Sequence, residues 1–196
     1  MRRWRTLQSV GQGTESIGDA DAAEWARAVG GDGEAFGRIF DRHRDRVLRH
    51  GLRLAPTPSD ADDLVAITFF EAWRNRERVR VVEGSVLPWL LVTATNVGRN
   101  LRRSAGRYAA LLERLPPGEH AADPADHVAA HDVAARLAHL SLADRQVLTL
   151  CVLEGYSERD AAVALGVAPG TVKSRLSRAR RRLASALASQ GGHDEP

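Results

Sequence analysis

The sequence predicts an all-α protein of two small helical domains, an N-terminal helical bundle and a C-terminal four-helix domain with a helix-turn-helix, joined by a flexible linker. Three observations predict it. Nearly every periodic stretch carries apolar residues at helical spacing, and the only alternating β-branched run is the short RVRVVEGSV at 78–86. Residues 104–127 gather Pro116, Pro117, Gly118 and Pro124 among small and acidic residues, which splits the helical pattern in two. The 196 residues suffice for two small domains, and 43% hydrophobic with 27% charged residues is a globular composition rather than a disordered one.

The elements follow in order. Residues 1–18, rich in Gly, Ser and Gln, read as a disordered extension. A first helix is predicted from Asp21 to Val29. A second runs from about Glu34 to Leu54, after the break GGDGEAFG. APTPSD at 55–60 is a turn, and Asp60 is the expected N-cap of a third helix reaching Arg78. Asp62 and Asp63 fall in its first turn, where the helix dipole favours carboxylates. Residues 79–87 are a loop. Pro88 suits a first helical position, and the fourth helix runs to about Arg103. ALLERL at 110–115 is a candidate short helix. The pattern resumes from His127 to Leu140, then from Leu142 to Gly155, then in two short helices to Leu187. The predicted domains are therefore 19–106 and 127–188, with the linker at 107–126 and a disordered tail at 189–196.

Several function classes drop out. One cysteine, Cys151, allows neither an internal disulfide framework nor a cysteine-based zinc site. His127 and His131 have i, i+4 spacing but no third ligand near in sequence, so no metal is expected. No apolar run approaches the ~20 residues of a membrane span, and the basic start has no apolar segment after it. A cytoplasmic protein is expected. No Ser/His/Asp or Cys/His arrangement and no phosphate loop points to an enzyme, a cofactor or a small-molecule substrate; His43, His50 and His139 are expected on surfaces.

The net charge of +3 conceals a strong alternation. Residues 19–73 carry 7 basic and 11 acidic side chains, and 74–107 carry 8 and 2. Residues 108–169 carry 4 and 9, and 170–183 carry 6 and none. Two separate basic segments suit two contacts with a polyanion, and the acidic segments suit a basic protein partner.

The most informative stretch is GYSERDAAVALGVAPGTVKSRLSRARRRL, 155–183. Ser157 and Asp160 resemble a capping box, Leu165-Gly166 is a helix stop, and about three residues later Ala168-Pro169 opens another helix. In that second helix Val172, Leu176, Ala179 and Leu183 share one face, which must be buried. Ser174, Ser177, Arg178 and Arg181 take the opposite face, with Lys173, Arg175 and Arg182 on the flanks. Such a helix fits a major groove, and Thr171 with the first backbone amides can hold a phosphate. In PWLLVTATNVGRNLRR at 88–103, Leu90, Ala94, Val97 and Leu101 form the apolar stripe. Asn96, Arg99, Asn100 and Arg103 are left for another face, where Asn can pair with adenine edges and Arg with phosphate. The third helix is apolar over more than half its circumference, so it is central to its bundle or partly covered by a partner.

DADDLVAITFFEAWR, PWLLVTATNVGRNLRR and LSLADRQVLTLCVLEGYSERDAAVALGVAPGTVKSRLSRARRRL, in that order, resemble an extracytoplasmic-function sigma factor of bacterial RNA polymerase, in the sigma-70 family. The resemblance spans most of residues 20–187. It implies two domains that bind core RNA polymerase, the first recognising and melting the minus-ten element and the second reading the minus-thirty-five duplex. It implies that Asp60, Asp62, Asp63, Leu64, Phe69 and Trp73 dock on polymerase. The loop from Glu77 to Leu87 would hold an unstacked base. Arg80, Asn96, Arg99, Asn100 and Arg103 would follow minus-ten DNA. Thr171, Lys173, Ser174, Arg175, Ser177, Arg178 and Arg181 would face the minus-thirty-five groove. An anti-sigma factor is the expected inhibitory partner. Ala66-Ile67 stands where the family often has a polar pair. The alternative is a stand-alone helix-turn-helix regulator of duplex DNA, against which the second basic segment and the acidic helix argue.

Overall fold

A computed structural model describes residues 14–112 and 140–190, and they are helical apart from short connections. The helices are α1 (Thr14–Val29), α2 (Gly33–Leu52), α3 (Pro58–Arg74), α4 (Leu87–Leu112), α5 (Leu142–Leu148, continued by a π-helical turn, Thr149–Leu153), α6 (Glu158–Leu165) and α7 (Pro169–Gln190). The expected linker from 113, the helix from His127 and the residues from 191 onward lie outside the described residues, as do His127, His131 and His139.

Boundaries differ from expectation for local reasons. The N-cap of α3 is Thr57, not Asp60: Thr57 Oγ1 accepts from Asp60 N, and Asp60 Oδ2 accepts from Thr57 N at 3.0 Å. This capping box starts the helix three residues earlier and puts Pro58 at its first position. The helix ends at Arg74, and a 3-10 turn (Arg76–Arg78) follows. Helix α1 begins at Thr14, inside the segment expected to be disordered. Helix α4 passes Arg103 and runs to Leu112, because the good helix formers Ala109–Leu112 outweigh one interior glycine, Gly106.

The N-terminal core joins Trp25 and Ala28 of α1, Ile39 and Val47 of α2, Leu64, Val65, Phe69 and Ala72 of α3, and Val86, Leu90, Ala94 and Val97 at and along α4. Phe36, Phe40, Phe69 and Trp73 pack edge-on or tilted, with ring centroids 4.8–6.3 Å apart. Gly98 lets α4 close on this core: a Cβ there would lie 2.9 Å from Leu54 Cβ.

The second core holds Leu140, Val147, Leu148 and Leu150, Ala161, Ala162 and Ala164 of α6, and Val172, Leu176 and Ala179 of α7. It also takes in Val82, Leu87 and Leu91 from the N-terminal half. The two halves thus pack directly on each other, α4 lying against α5 and α6.

Candidate nucleic-acid interface

Helix α7 is set by the turn before it. Gly166 adopts φ 67°, ψ 39°, a left-handed cap that suits glycine, and its N–H and that of Val167 close the end of α6. Val172, Leu176 and Ala179 are buried and Leu183 is half-buried, as the register requires. Lys173, Ser174, Ser177 and Arg181 are exposed, and Thr171 and Arg175 are half-exposed. Arg178 is exposed too, but its guanidinium turns back to Asp144 of α5, with NH2–Oδ1 3.2 Å. Arg182 holds the other oxygen at 3.1 Å. Asp144 is wholly buried, so these two arginines tie α7 to α5.

The other cationic face lies on α4 and the loop before it. Arg99, Asn100 and Arg103 are exposed. Asn96 is half-buried, and its Oδ1 accepts from Gln146 Nε2 of α5 at 2.9 Å. In the loop, Val82 and Ser85 pair through two backbone hydrogen bonds of 2.9 Å. Glu83 and Gly84 between them both have positive φ, 48° and 75°, which makes a tight hairpin turn. The exposed Arg80 places its guanidinium over Gly166, where a side chain would collide with it.

The loop is anchored by residues that sequence reasoning missed. Asp21 of α1 is wholly buried. Its carboxylate accepts from Ser85 Oγ at 2.8 Å, meets His43 Nε2 at 2.6 Å and pairs with Arg42. Burial pushes the Asp21 pKa up, but hydrogen bonds and the charge of His43 outweigh it and hold the carboxyl below its ordinary value. His43, expected on the surface, is 4% exposed and part of this anchor; His50 is likewise buried.

Helix α3 divides its apolar residues. Leu64 is wholly buried and serves internal packing, which corrects its assignment to a partner. Phe69, 3% exposed, is the floor of an open groove of about 400 Å³. Phe36, Phe40, Ala66, Phe70 and Trp73 line that groove. Phe70 is 60% exposed and Ile67 39%, so the apolar surface offered outward is theirs, and neither was among the residues expected to dock on polymerase. Asp62 and Asp63 are exposed, and Asp60 is half-exposed and occupied with its cap. Asp62 lines a second cleft that shares Phe40 and Ala66 with the groove.

Residues 39–108 match the family model "Sigma-70 region 2", and residues 130–183 match "Sigma-70, region 4". The chain is 34% identical over 170 residues to the ECF RNA polymerase sigma factor SigM of Mycobacterium tuberculosis (strain ATCC 25618 / H37Rv), covering 86% of this chain and 85% of that protein. The chain belongs to the ECF sigma factors. It is also 34% identical over 179 residues to the RNA polymerase sigma factor NccH of Alcaligenes xylosoxydans xylosoxydans, covering 86% of this chain and 95% of the relative. The solved structure of CnrH in complex with the cytosolic domain of CnrY superposes with a TM-score of 0.62 at 29% identity, over 87% of this chain and 99% of that one. RpoE of Bartonella quintana, solved with the anti-sigma factor NepR, gives 0.53 at 28% identity, over 82% and 98%. As an ECF sigma factor the chain binds core RNA polymerase and directs promoter recognition and transcription initiation; sigma factors are non-enzymatic initiation factors. Among the described residues no helix is long and apolar enough to cross a membrane.

Proposed function

We propose that this ECF sigma factor divides initiation among three surfaces. The N-terminal half docks on core polymerase through α3, with Asp62 and Asp63 supplying charge and the Phe70 groove supplying apolar contact. The loop at 79–86 and the α4 residues Arg99, Asn100, Arg103 and Asn96 engage the minus-ten element once its strands part, with Arg80 beside them. Helix α7 enters the minus-thirty-five groove with Lys173, Arg175, Ser177 and Arg181. The factor acts in the cytoplasm, and an anti-sigma protein restrains it.

One observation carries this reading: two cationic faces stand on different helices, α4 and α7, while α3 carries an apolar groove whose neighbouring cleft is lined by Asp45 and Asp62 together with Arg44. A stand-alone regulator of duplex DNA has no use for that third surface. Replacing Asp60, Asp62 and Asp63 together by Asn removes charge complementarity toward a basic partner. Co-elution with core polymerase at physiological salt should weaken by roughly tenfold or more, about 1.4 kcal/mol per tenfold. Thermal melting should drop slightly, since Asp60 also serves the cap. Unchanged affinity for core contradicts the docking surface.

A further inference from the structure

We propose that Asp21, acting with His43 through Ser85, is the positioning residue of the 79–86 loop. It holds the turn at Glu83-Gly84 in the shape that captures a base, and so sets both the rate of opening and the choice of base. The inference rests on the minus-ten reading of that loop and adds the residues that give the loop its form.

The turn needs support from outside. Glu83 has φ 48°, a left-handed backbone that a residue with a side chain adopts only at a cost. Two backbone bonds between Val82 and Ser85 close the turn, and this bridge is isolated among the described residues, with no sheet to carry it. A lone two-stranded turn is marginal in water.

The support comes from one buried carboxylate. Asp21 Oδ2 accepts from the Ser85 hydroxyl at 2.8 Å and from the Val86 amide at 3.4 Å, and it meets His43 Nε2 at 2.6 Å. The other oxygen is held by Arg42, which also pairs with Glu24 at 3.0 Å. The Ser85 hydroxyl in turn accepts from the amide of Leu87, the first residue of α4, at 3.2 Å. Asp21 thus ties α1 and α2 to the point where the loop enters α4. Burial alone would favour the neutral acid, but the bonds and the His43 charge prevail and keep the carboxyl ionised, so its bond to Ser85 is charge-assisted.

Asp21 and His43 are 0% and 4% exposed, too buried to touch a nucleotide, so any effect on DNA passes through the loop. Asp21 also precedes residues 39–108, the part matched to region 2. A buried ion cluster is often no more stabilising than apolar packing of the same volume. What this one supplies is a single fixed geometry at Ser85.

Ser85→Ala tests this, because it removes one hydroxyl and leaves Asp21 with His43 and Arg42. The assay uses holoenzyme with core polymerase, on a promoter mapped from the 5′ ends of its transcripts. Closed complexes in the cold should form as in wild type, while the opening rate falls by roughly tenfold. Fork templates carrying each of the four bases at each unpaired minus-ten position should show discrimination flattened at the position the loop takes. Ser85→Thr keeps the hydroxyl and should restore both properties. Ile39→Val, a core change that also lowers the melting temperature, should alter neither. Normal opening and discrimination in Ser85→Ala overturn the proposal, and so do equal losses in Ile39→Val, which would make stability the cause. Deleting Glu83 and Gly84 locates a failure. If the deletion impairs opening while Ser85→Ala does not, the minus-ten reading stands and the positioning role is wrong; if neither has an effect, the loop's minus-ten reading falls as well.

Discussion

His50 is 2% exposed, and its Nε2 lies 2.9 Å from the Thr95 hydroxyl. Thr95 gives its own proton to the Leu91 carbonyl at 2.8 Å, so Nε2 must carry the hydrogen. Nδ1 is buried with no hydrogen-bond partner. Burial, and then the charge of Arg53, drives the His50 pKa down to about 4. The unfolded chain takes up this proton near 6.5 and the folded chain does not until about 4. The stability tied to His50 is therefore complete above pH 6.5 and is lost as pH falls from there toward 4, by about 2–3 kcal/mol at pH 4.5. Urea midpoints should fall more steeply over that interval for the wild type than for His50→Gln. Parallel slopes would mean that His50 ionises freely in the native protein. Neither His50 nor His43 was legible as buried, because their partners Thr95 and Asp21 lie 45 and 22 positions away and a lone histidine in a polar helix carries no local signal.

At the scale of the element, sequence reasoning worked where periodicity and capping act over a few residues. The α6–α7 turn, its Ser157 cap and the buried stripe Val172, Leu176, Ala179 stand where the pattern put them. It slipped by three residues at α3, where Thr57 and Asp60 both qualify as caps and only their reciprocal bonds decide. It also could not tell outward arginines from inward-turned ones. Arg178 and Arg181 look equivalent in sequence, yet Arg178 is spent on Asp144, while Arg181 has no side-chain hydrogen bond or ion pair among the described residues. Their substitutions should separate accordingly. Arg181→Ala should cost the specific minus-thirty-five complex about 1–3 kcal/mol if it reads a base, with melting unchanged. Arg178→Ala should lower the melting temperature, since Asp144 keeps only Arg182. Thermal melts and gel shifts on matched and altered minus-thirty-five sequences distinguish them. Loss of stability from Arg181→Ala instead would reverse the two roles.

At the scale of the whole molecule, the composition of the chain announced two helical units, and two cores are present. What composition could not announce is that Val82, Leu87 and Leu91 leave the first unit to complete the second. Apolar residues facing a neighbouring domain are the same in kind as those facing an internal core. The central claim remains the division of labour, in which α7 suits intact duplex and the 79–86 loop with α4 suits a strand released from it. The most direct measurement uses holoenzyme reconstituted with core polymerase. Its promoter would be taken from the 5′ ends of transcripts made on genomic DNA, and Asn96→Ala with Asn100→Ala would be compared with wild type. A gel shift in the cold reports closed binding, and permanganate reactivity of thymines reports opening. Closed complexes should form nearly as well as wild type, while thymine reactivity falls by roughly tenfold, about 1.4 kcal/mol on the opening step. Normal reactivity combined with failed binding in the cold would make α4 a duplex-binding surface and contradict strand capture.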